Sequence, residues 1–203
     1  LEGFDTMVHL TEENDFMVLE GDEYLSSPID RRPKFHLYQP NIALISGIAW
    51  DHINVFPTYE NYVNQFEIFI DKITNGGILV YNAEDSEVKR VAEAATNPIR
   101  KMAYTTPNYE VKHGVTLLET PEGPMPIEVF GAHNLNNLAG AKWICQNMGV
   151  DEADFYEAIA SFKGASKRLE KIAEGKGKVA YKDFAHSPSK VAATTKAVKE
   201  QYP

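Results

Sequence analysis

Short apolar runs that alternate with helical patterns constrain the fold of this chain more than any other feature. Runs at residues 16–19, 42–45 and 78–81 have the length and β-branched content of buried parallel strands. Between the second and third runs, apolar residues recur at three- and four-residue steps over 58–73, which predicts an amphipathic helix capped at its start. Residues 86–95 predict another helix. This order predicts an α/β fold, a mostly parallel sheet flanked by helices.

The second half of the chain has a different pattern. From residue 99 to 130, short alternating segments are broken by proline and glycine, which predicts a small antiparallel sheet attached to the main one. Its strands are expected to include 115–118 and 127–130, and further elements follow: helices at 134–148, 152–162 (capped by Asp151) and 188–200, and a strand at 179–181. The Gly- and Lys-rich stretch 175–178 predicts a boundary between one domain over 1–174 and the start of a second over 178–203.

Charge and composition exclude several classes of protein. The chain carries 20 Lys and Arg against 29 Asp and Glu, a formal charge of −9. This acidic balance disfavours nucleic acid as a partner, because phosphate binding needs a concentrated positive face. The longest apolar run is less than half of the roughly 20 residues that cross a bilayer, so no membrane segment is expected. With no secretory pattern and a single cysteine, Cys145, the chain is expected to be cytoplasmic and without internal disulfides.

Acidic residues and a histidine follow two of the predicted strands. Glu20, Asp22 and Glu23 come after the first run, and Asp51 and His52 come after the second. Open parallel sheets place their ligands at the carboxyl ends of their strands, and oxygen ligands there suit Mg²⁺. The alternative is a solvated acidic loop with an exposed histidine. The sequence therefore predicts either a metal or phosphate site at this edge or a merely polar surface.

A polar stretch at 131–137 lies where a predicted strand gives way to a helix. Its free backbone N–H groups and amide side chains could bind a purine, whose edges both donate and accept hydrogen bonds. The alternative is helix capping by Asn134, which does not account for Asn137 one turn further on. Lys167 and Arg168 could likewise bind a phosphate or simply be surface residues.

Taken in order, five motifs of this chain resemble those of the Mur ligases, the ATP-dependent amide-forming enzymes of peptidoglycan synthesis. They are Glu-Gly-Asp-Glu-Tyr at 20–24, Trp-Asp-His at 50–52, Gly-Ala-His-Asn at 131–134 with Asn137, Arg-Leu-Glu at 168–170, and Asp-Phe-Ala-His-Ser-Pro at 183–188. The resemblance implies a central ATP-binding domain followed by the first strand and helix of a Rossmann-like carboxy-terminal domain.

The resemblance also implies roles for individual residues, with ATP and Mg²⁺ as cofactors. Glu20 would bind a Mg²⁺ that bridges the ATP phosphates, and His52 a second Mg²⁺ near the acyl phosphate formed during the reaction. The remaining implied contacts are adenine for His133, Asn134 and Asn137, the γ-phosphate for Arg168, and the ribose and phosphates for Asp183 and His186. Arg168 and His52 would be the catalytic residues.

Within the family, the stretch at 30–35 is similar to that of the murein tripeptide ligases of peptidoglycan recycling, which join L-alanyl-γ-D-glutamyl-meso-diaminopimelate to UDP-N-acetylmuramate. Asp30, Arg31, Arg32 and Lys34 would then contact the peptide or the sugar nucleotide, since an Arg fork holds a carboxylate well. Alternatively, these residues pair with one another and only shape the loop. L-alanine ligases of the same family, or a non-catalytic nucleotide-binding module, are the competing functions.

Three departures from the family pattern affect these expectations. No Lys occurs over 59–70, where many members carry a carbamylated one, and Ser187 replaces a second histidine. No Gly-Lys-Ser or Gly-Lys-Thr phosphate loop occurs in the 203 residues. The chain is therefore expected to be a fragment, inactive as a ligase by itself, whose partners include the missing domains of its parent.

Overall fold

The computed structural model describes Val8 and residues 10–203, and it confirms the predicted α/β fold. A parallel sheet has the strand order β1 (Ile42–Ile45), β2 (Ile78–Asn82) and β3 (Arg100–Tyr104). Ile42 pairs with Ile78, and Ile78 pairs with Arg100. Helices α1 (Tyr59–Asp71) and α2 (Ser86–Ala94) connect these strands. A short 3₁₀ turn, Lys34–Leu37, precedes the sheet.

The first helix forms where the apolar periodicity predicts it. The Thr58 side chain accepts a hydrogen bond from the Asn61 backbone N–H at 3.1 Å, so the predicted cap is present. The apolar face of α1 is buried against the sheet, and Ile70 is fully inaccessible to solvent. Burial of a side chain of this size contributes about 1.5–3 kcal/mol. The core that positions β1 and β2 therefore lies under this helix.

The small antiparallel sheet is also present, with the order β4 (Tyr109–Lys112), β5 (Val115–Thr120) and β6 (Gly123–Ile127). Two sequence predictions were wrong here. Residues 100–104 join the parallel sheet instead, and the last strand ends at Ile127 rather than covering 127–130. Pro124 and Pro126 lie inside β6 although proline has no backbone N–H to donate. They are tolerated because β6 is an edge strand, which pairs with β5 on one side only.

The remaining helices and the strand at 179–181 follow the predicted order, but the strand Glu170–Gly175 was not predicted. Helices α3 (Ala132–Asn147) and α4 (Glu152–Ala160) precede a hairpin of β7 (Glu170–Gly175) and β8 (Lys178–Lys182), and α5 (Pro188–Gln201) ends the described chain. Asp151 occupies the cap position of α4, but its side chain makes no capping hydrogen bond. The segment 175–178 forms the turn between β7 and β8, and the domain boundary expected there remains a prediction.

The strand predicted at residues 16–19 is absent. Phe16 is 57% exposed and Val18 is 80% exposed, and the segment has no regular secondary structure. A strand needs a neighbouring backbone for its hydrogen bonds, and in the described part of the chain β1 pairs only with β2. The apolar character of this segment was therefore insufficient to form a strand. Within the described ranges, no helix is both long and apolar enough to cross a membrane.

Candidate active site

A cavity of about 550 Å³ opens at the carboxyl end of β1. One wall is aromatic and includes Phe35, Phe66 and Phe69. The other side is formed by the loop that follows β1, up to Asp51, and by residues 187–190 at the start of α5. The cavity therefore joins an early strand end to the last helix, as the edge of a parallel sheet permits.

His52 lies beside this cavity in an unusual backbone conformation. Its φ is 54°, and its backbone N–H donates to Asp51 Oδ1 at 2.7 Å. His52 Nε2 is 3.5 Å from Glu23 Oε1, which also accepts a 3.4 Å hydrogen bond from the Tyr62 hydroxyl. Burial and the neighbouring Glu23 raise the pKa of Tyr62, so this hydroxyl stays a donor. The Tyr24 ring packs edge-on against His52, with 4.8 Å between ring centroids.

Among the predicted acids, the structure brings Glu23 rather than Glu20 to His52. Glu20 is exposed in irregular chain, because the strand that would have placed it at the sheet edge does not form. Asp22 accepts hydrogen bonds from the Lys34 ammonium and, at 2.8 Å, from the Tyr24 backbone N–H. Burial alone would raise the pKa of Asp22, but these bonds outweigh it and the pKa is lowered.

No three His, Cys, Asp or Glu side chains in the described part of the chain come together as a metal site. The pair of Glu23 and His52 nevertheless fits one proposed cofactor. Mg²⁺ is commonly held by one or two carboxylates, with water and substrate phosphates completing its shell. Glu23 offers such a carboxylate at the cavity, and the His52 imidazole lies beside it.

The predicted substrate residues at 30–34 are largely paired with acids. Arg32 donates to both oxygens of Asp30, with Nε and Nη2 at 3.0 and 2.7 Å. The Arg32 guanidinium lowers the pKa of Asp30 to about 2. Lys34 pairs with Asp22, whereas Arg31 is exposed and forms no ion pair with any described residue. The loop-shaping alternative therefore accounts for Arg32 and Lys34, and Arg31 remains available for a ligand.

The start of α3 contains a buried polar network that the sequence analysis missed. Asn136 is 7% exposed, and its amide N–H₂ lies 3.1–3.2 Å from Asn82 Oδ1, Glu84 Oε2 and Thr106 Oγ1. Asn82 also donates to the Ser46 carbonyl at 3.0 Å. A polar residue directly after the apolar run 78–81 was the signal that could have indicated this network.

The predicted adenine residues surround this network without belonging to it. The Asn134 side chain donates to the Phe130 carbonyl at 2.9 Å, and Asn137 is exposed. His133 is partly buried, and burial lowers its pKa although nearby Asp183 partly opposes this. Gly131, at φ 86°, opens α3 with no side chain, and a Cβ there would overlap Ala197 of α5.

Asp183 holds the loop that carries Arg168. Its Oδ2 accepts from the Leu169 backbone N–H at 2.8 Å, and its Oδ1 accepts from the Ala185 N–H at 2.6 Å. The Arg168 guanidinium lies 5.9 Å from the centre of the Phe184 ring and has no acidic partner among the described residues. His186 Nδ1 is 2.8 Å from the Phe184 carbonyl. Arg168, Asp183 and His186 therefore lie in one local group, whereas their roles toward a nucleotide remain predictions.

Two contacts of α5 that the sequence did not indicate tie it to earlier parts of the chain. Near its start, Lys190 Nζ is 3.7 Å from Asp51 Oδ2. At its end, buried Gln201 accepts a 3.0 Å hydrogen bond from Thr116 and donates at 2.6 Å to the Gly114 carbonyl. The last helix therefore contacts both the loop that follows β1 and the antiparallel sheet.

Curated proteins that match this chain over nearly its whole length include UDP-N-acetylmuramate ligases of two kinds. It is 28% identical over 198 residues to the UDP-N-acetylmuramate–L-alanine ligase of Caldicellulosiruptor bescii, covering 92% of this chain and 42% of the relative. It is 29% identical over 209 residues to the UDP-N-acetylmuramate–L-alanyl-gamma-D-glutamyl-meso-2,6-diaminoheptandioate ligase of Escherichia coli, covering 97% and 44%. The chain thus spans less than half the length of these relatives.

Solved structures support the fold. A murein peptide ligase, Mpl, from Psychrobacter arcticus has a TM-score of 0.64 at 21% identity, covering 96% of this chain and 43% of that one. MurF from Acinetobacter baumannii has a TM-score of 0.69 at 19% identity, covering 82% and 39%. The family described as the Mur ligase middle domain matches residues 3–145, which is most of the chain. With this match, the chain belongs to the Mur ligase family.

Proposed function

We propose that this chain is the larger part of the ATP-binding unit of a ligase that joins a peptide to UDP-N-acetylmuramate. The observation that carries the proposal is the shared cavity, which residues 44–51 after β1 and residues 187–190 of α5 line together. Two acids, a histidine and a lysine lie at or beside it. In domain terms, 1–174 would be the central domain and 178–203 the start of the carboxy-terminal one.

The proposed chemistry is phosphoryl transfer followed by amide formation. ATP would supply the phosphoryl group that converts the muramyl carboxylate to an acyl phosphate. The amine then attacks the acyl carbon, and inorganic phosphate leaves. Phosphoryl transfer depends on positioning and positive charge more than on a protein nucleophile.

Several residues of this chain would provide that positioning. Arg168 has no acidic partner among the described residues, so its guanidinium is available for the γ-phosphate. Asp183 would hold the Arg168 loop, and His186 would reach the ribose and phosphates. Glu20 is proposed as a ligand of one Mg²⁺ and His52 of a second, and Glu23 is added to the second site because its carboxylate lies beside His52.

The nucleotide base would lie near the start of α3. Asn134 uses its amide N–H₂ on the Phe130 carbonyl, which leaves its Oδ1 free to accept from an exocyclic amine. Asn137 is exposed one turn further along the helix, and His133 lies beside them. Buried Asn136 would support this region through Asn82 rather than contact the base.

The peptide is proposed to be the tripeptide L-Ala-γ-D-Glu-meso-diaminopimelate, whose carboxylates suit Arg31, with Asp30, Arg32 and Lys34 shaping the loop. L-alanine is the competing substrate, since relatives named for either substrate match at similar identity. A non-catalytic nucleotide-binding module is the competing function of another class.

The test is ADP release by the full-length protein that contains this chain, with UDP-N-acetylmuramate, ATP, Mg²⁺ and either the tripeptide or L-alanine. We expect turnover with the tripeptide. Arg168→Met should lower kcat about 100-fold or more, as loss of a transition-state cation does, whereas the exposed neighbour Lys163→Met should not. Turnover with L-alanine alone would assign the competing substrate, and ATP binding without turnover would support the binding module.

A further inference from the structure

The cavity at the end of β1 contains one cation that the roles above leave unassigned. Lys190, in the first turn of α5, is the only Lys, Arg or His among the described residues that line this cavity. Its Nζ is 3.7 Å from Asp51 Oδ2, and the two side chains are 47% and 39% exposed. A long, half-exposed ion pair of this kind contributes little to stability. Lys190 can therefore exchange Asp51 for another anion without a large penalty.

The two acids at the cavity already have other partners. Glu23 accepts from Tyr62 and lies beside His52. Asp51 accepts the His52 backbone N–H through Oδ1, so only its Oδ2 faces Lys190. A ligand oxyanion that enters the cavity would thus meet two acids with existing donors and one ammonium with a weak partner. Lys190 is the group in the lining that can bind such an anion.

The backbone of Lys190 is held in place from the far end of its helix. Gln201, eleven residues later and about 16 Å along the helix axis, is buried and bonded to Thr116 and the Gly114 carbonyl. Ala197 packs against Gly131 at the start of α3. The ammonium is therefore carried on a rigid element, and only its flexible side chain has to move between Asp51 and a ligand.

We propose that Lys190 binds an oxyanion of the ligand in this cavity, a carboxylate or a phosphate, and so helps to determine substrate specificity. The identity of the ligand rests on the proposed function, but the oxyanion contact itself does not require turnover. In the competing explanation, Lys190 serves only to hold Asp51.

The experiment measures dissociation constants by calorimetry in the full-length protein that contains this chain. The probes are UDP-N-acetylmuramate, UDP-N-acetylglucosamine, which lacks the lactyl carboxylate, and ATP. Lys190→Met is compared with Lys190→Arg, which keeps the charge, and with Lys196→Met, an exposed lysine of the same helix. Asp51→Asn removes the ion pair but leaves the ammonium in place.

If Lys190 binds a carboxylate, Lys190→Met weakens UDP-N-acetylmuramate about tenfold or more, as loss of a charge-assisted contact does, and leaves UDP-N-acetylglucosamine within about twofold. If it binds a phosphate, ATP weakens by a similar factor. Lys190→Arg retains most of the affinity, Lys196→Met changes nothing, and Asp51→Asn binds as well as the wild type or more tightly. Either pattern supports the proposal.

The proposal is overturned if no probe weakens more than about twofold in Lys190→Met, or if Asp51→Asn weakens binding as much as Lys190→Met does. Ligase turnover is assayed separately, by ADP release, so that the two proposals can fail independently. If the wild type turns over and Lys190→Met binds every probe normally, only the role of Lys190 is removed. If Lys190→Met loses oxyanion binding but the wild type shows no turnover, only the ligase assignment is removed.

Discussion

Thr116 Oγ1 donates a 3.0 Å hydrogen bond to Gln201 Oε1 across 85 residues of sequence. Thr116 is completely buried in β5 and Gln201 is 5% exposed at the end of α5. Gln201 also donates to the Gly114 carbonyl at 2.6 Å, so both ends of its amide are used. This buried amide joins the last helix to the antiparallel sheet, and hence fixes where the start of that helix lies.

Gln201→Leu should destabilise the chain by about 1–3 kcal/mol, because it leaves the buried Thr116 hydroxyl and the partly buried Gly114 carbonyl without their partner. Urea denaturation measures the change. Lys199→Ala, an exposed position on the same helix, is the control and should shift the free energy of unfolding by less than about 0.5 kcal/mol. Equal effects of the two substitutions would show that the buried amide does not anchor α5.

Gly131→Ala should destabilise the chain by about 2–4 kcal/mol, the sum of strain at positive φ and overpacking. Gly131 has φ 86°, and an added Cβ would overlap Ala197. Gly149→Ala is a matched control, since its φ is 92° but nothing lies within 4 Å of an added Cβ. Thermal denaturation should show a clearly smaller loss for Gly149→Ala; a loss as large as that of Gly131→Ala would contradict the close packing of α3 and α5.

Folding stability should fall as the pH drops below about 6.5, the ordinary histidine value, partly because of His36. Burial lowers the pKa of His36, although its 2.8 Å contact with the Gln65 carbonyl partly opposes this. The folded state then binds fewer protons than the unfolded chain, so this contribution to stability is complete above the ordinary value and is lost below it. Between pH 7 and 5, His36→Gln should lose less stability than the wild type, as measured by urea denaturation; identical pH profiles would contradict the role of His36.

The Asp30 carboxyl should titrate at a pH of about 2, because Arg32 donates to both of its oxygens. The measurement is carboxyl-carbon NMR across an acid titration. Arg32→Gln removes the guanidinium and should return the Asp30 pKa toward its ordinary value. Arg31→Gln, at an exposed residue that forms no ion pair within the described part of the chain, should leave it low. If both variants behave alike, the pair does not shape this loop.

Manganese, as a spectroscopic substitute for Mg²⁺, should bind through the Glu23 and His52 pair. We expect Glu23→Gln and His52→Ala each to weaken Mn²⁺–ATP binding about tenfold, because such a site relies on one or two carboxylates and the His52 imidazole lies beside the Glu23 carboxylate. Electron paramagnetic resonance of free Mn²⁺ measures this in the full-length protein. Glu20→Gln provides the comparison: a loss with Glu20→Gln alone would favour the ligand that the motif predicted, and no loss in any variant would remove the site.

Local features of the fold were determined by the sequence itself. The apolar periodicity over 58–73 and the Thr58 hydroxyl predicted α1, because both act between residues three or four apart. The runs 42–45 and 78–81 predicted β1 and β2, since fully buried parallel strands are apolar throughout. The order of the motifs also indicated the family.

Relationships between distant segments were decided only by the tertiary structure. Residues 16–19 have the composition of a strand but pair with no strand among the described residues, whereas Arg100–Tyr104, which is more polar, pairs with β2. His52 faces Glu23 instead of Glu20, and Asn136 rather than Asn137 turns inward. Such pairings depend on which backbone edges and side chains packing brings together, and neither composition nor periodicity contains that information.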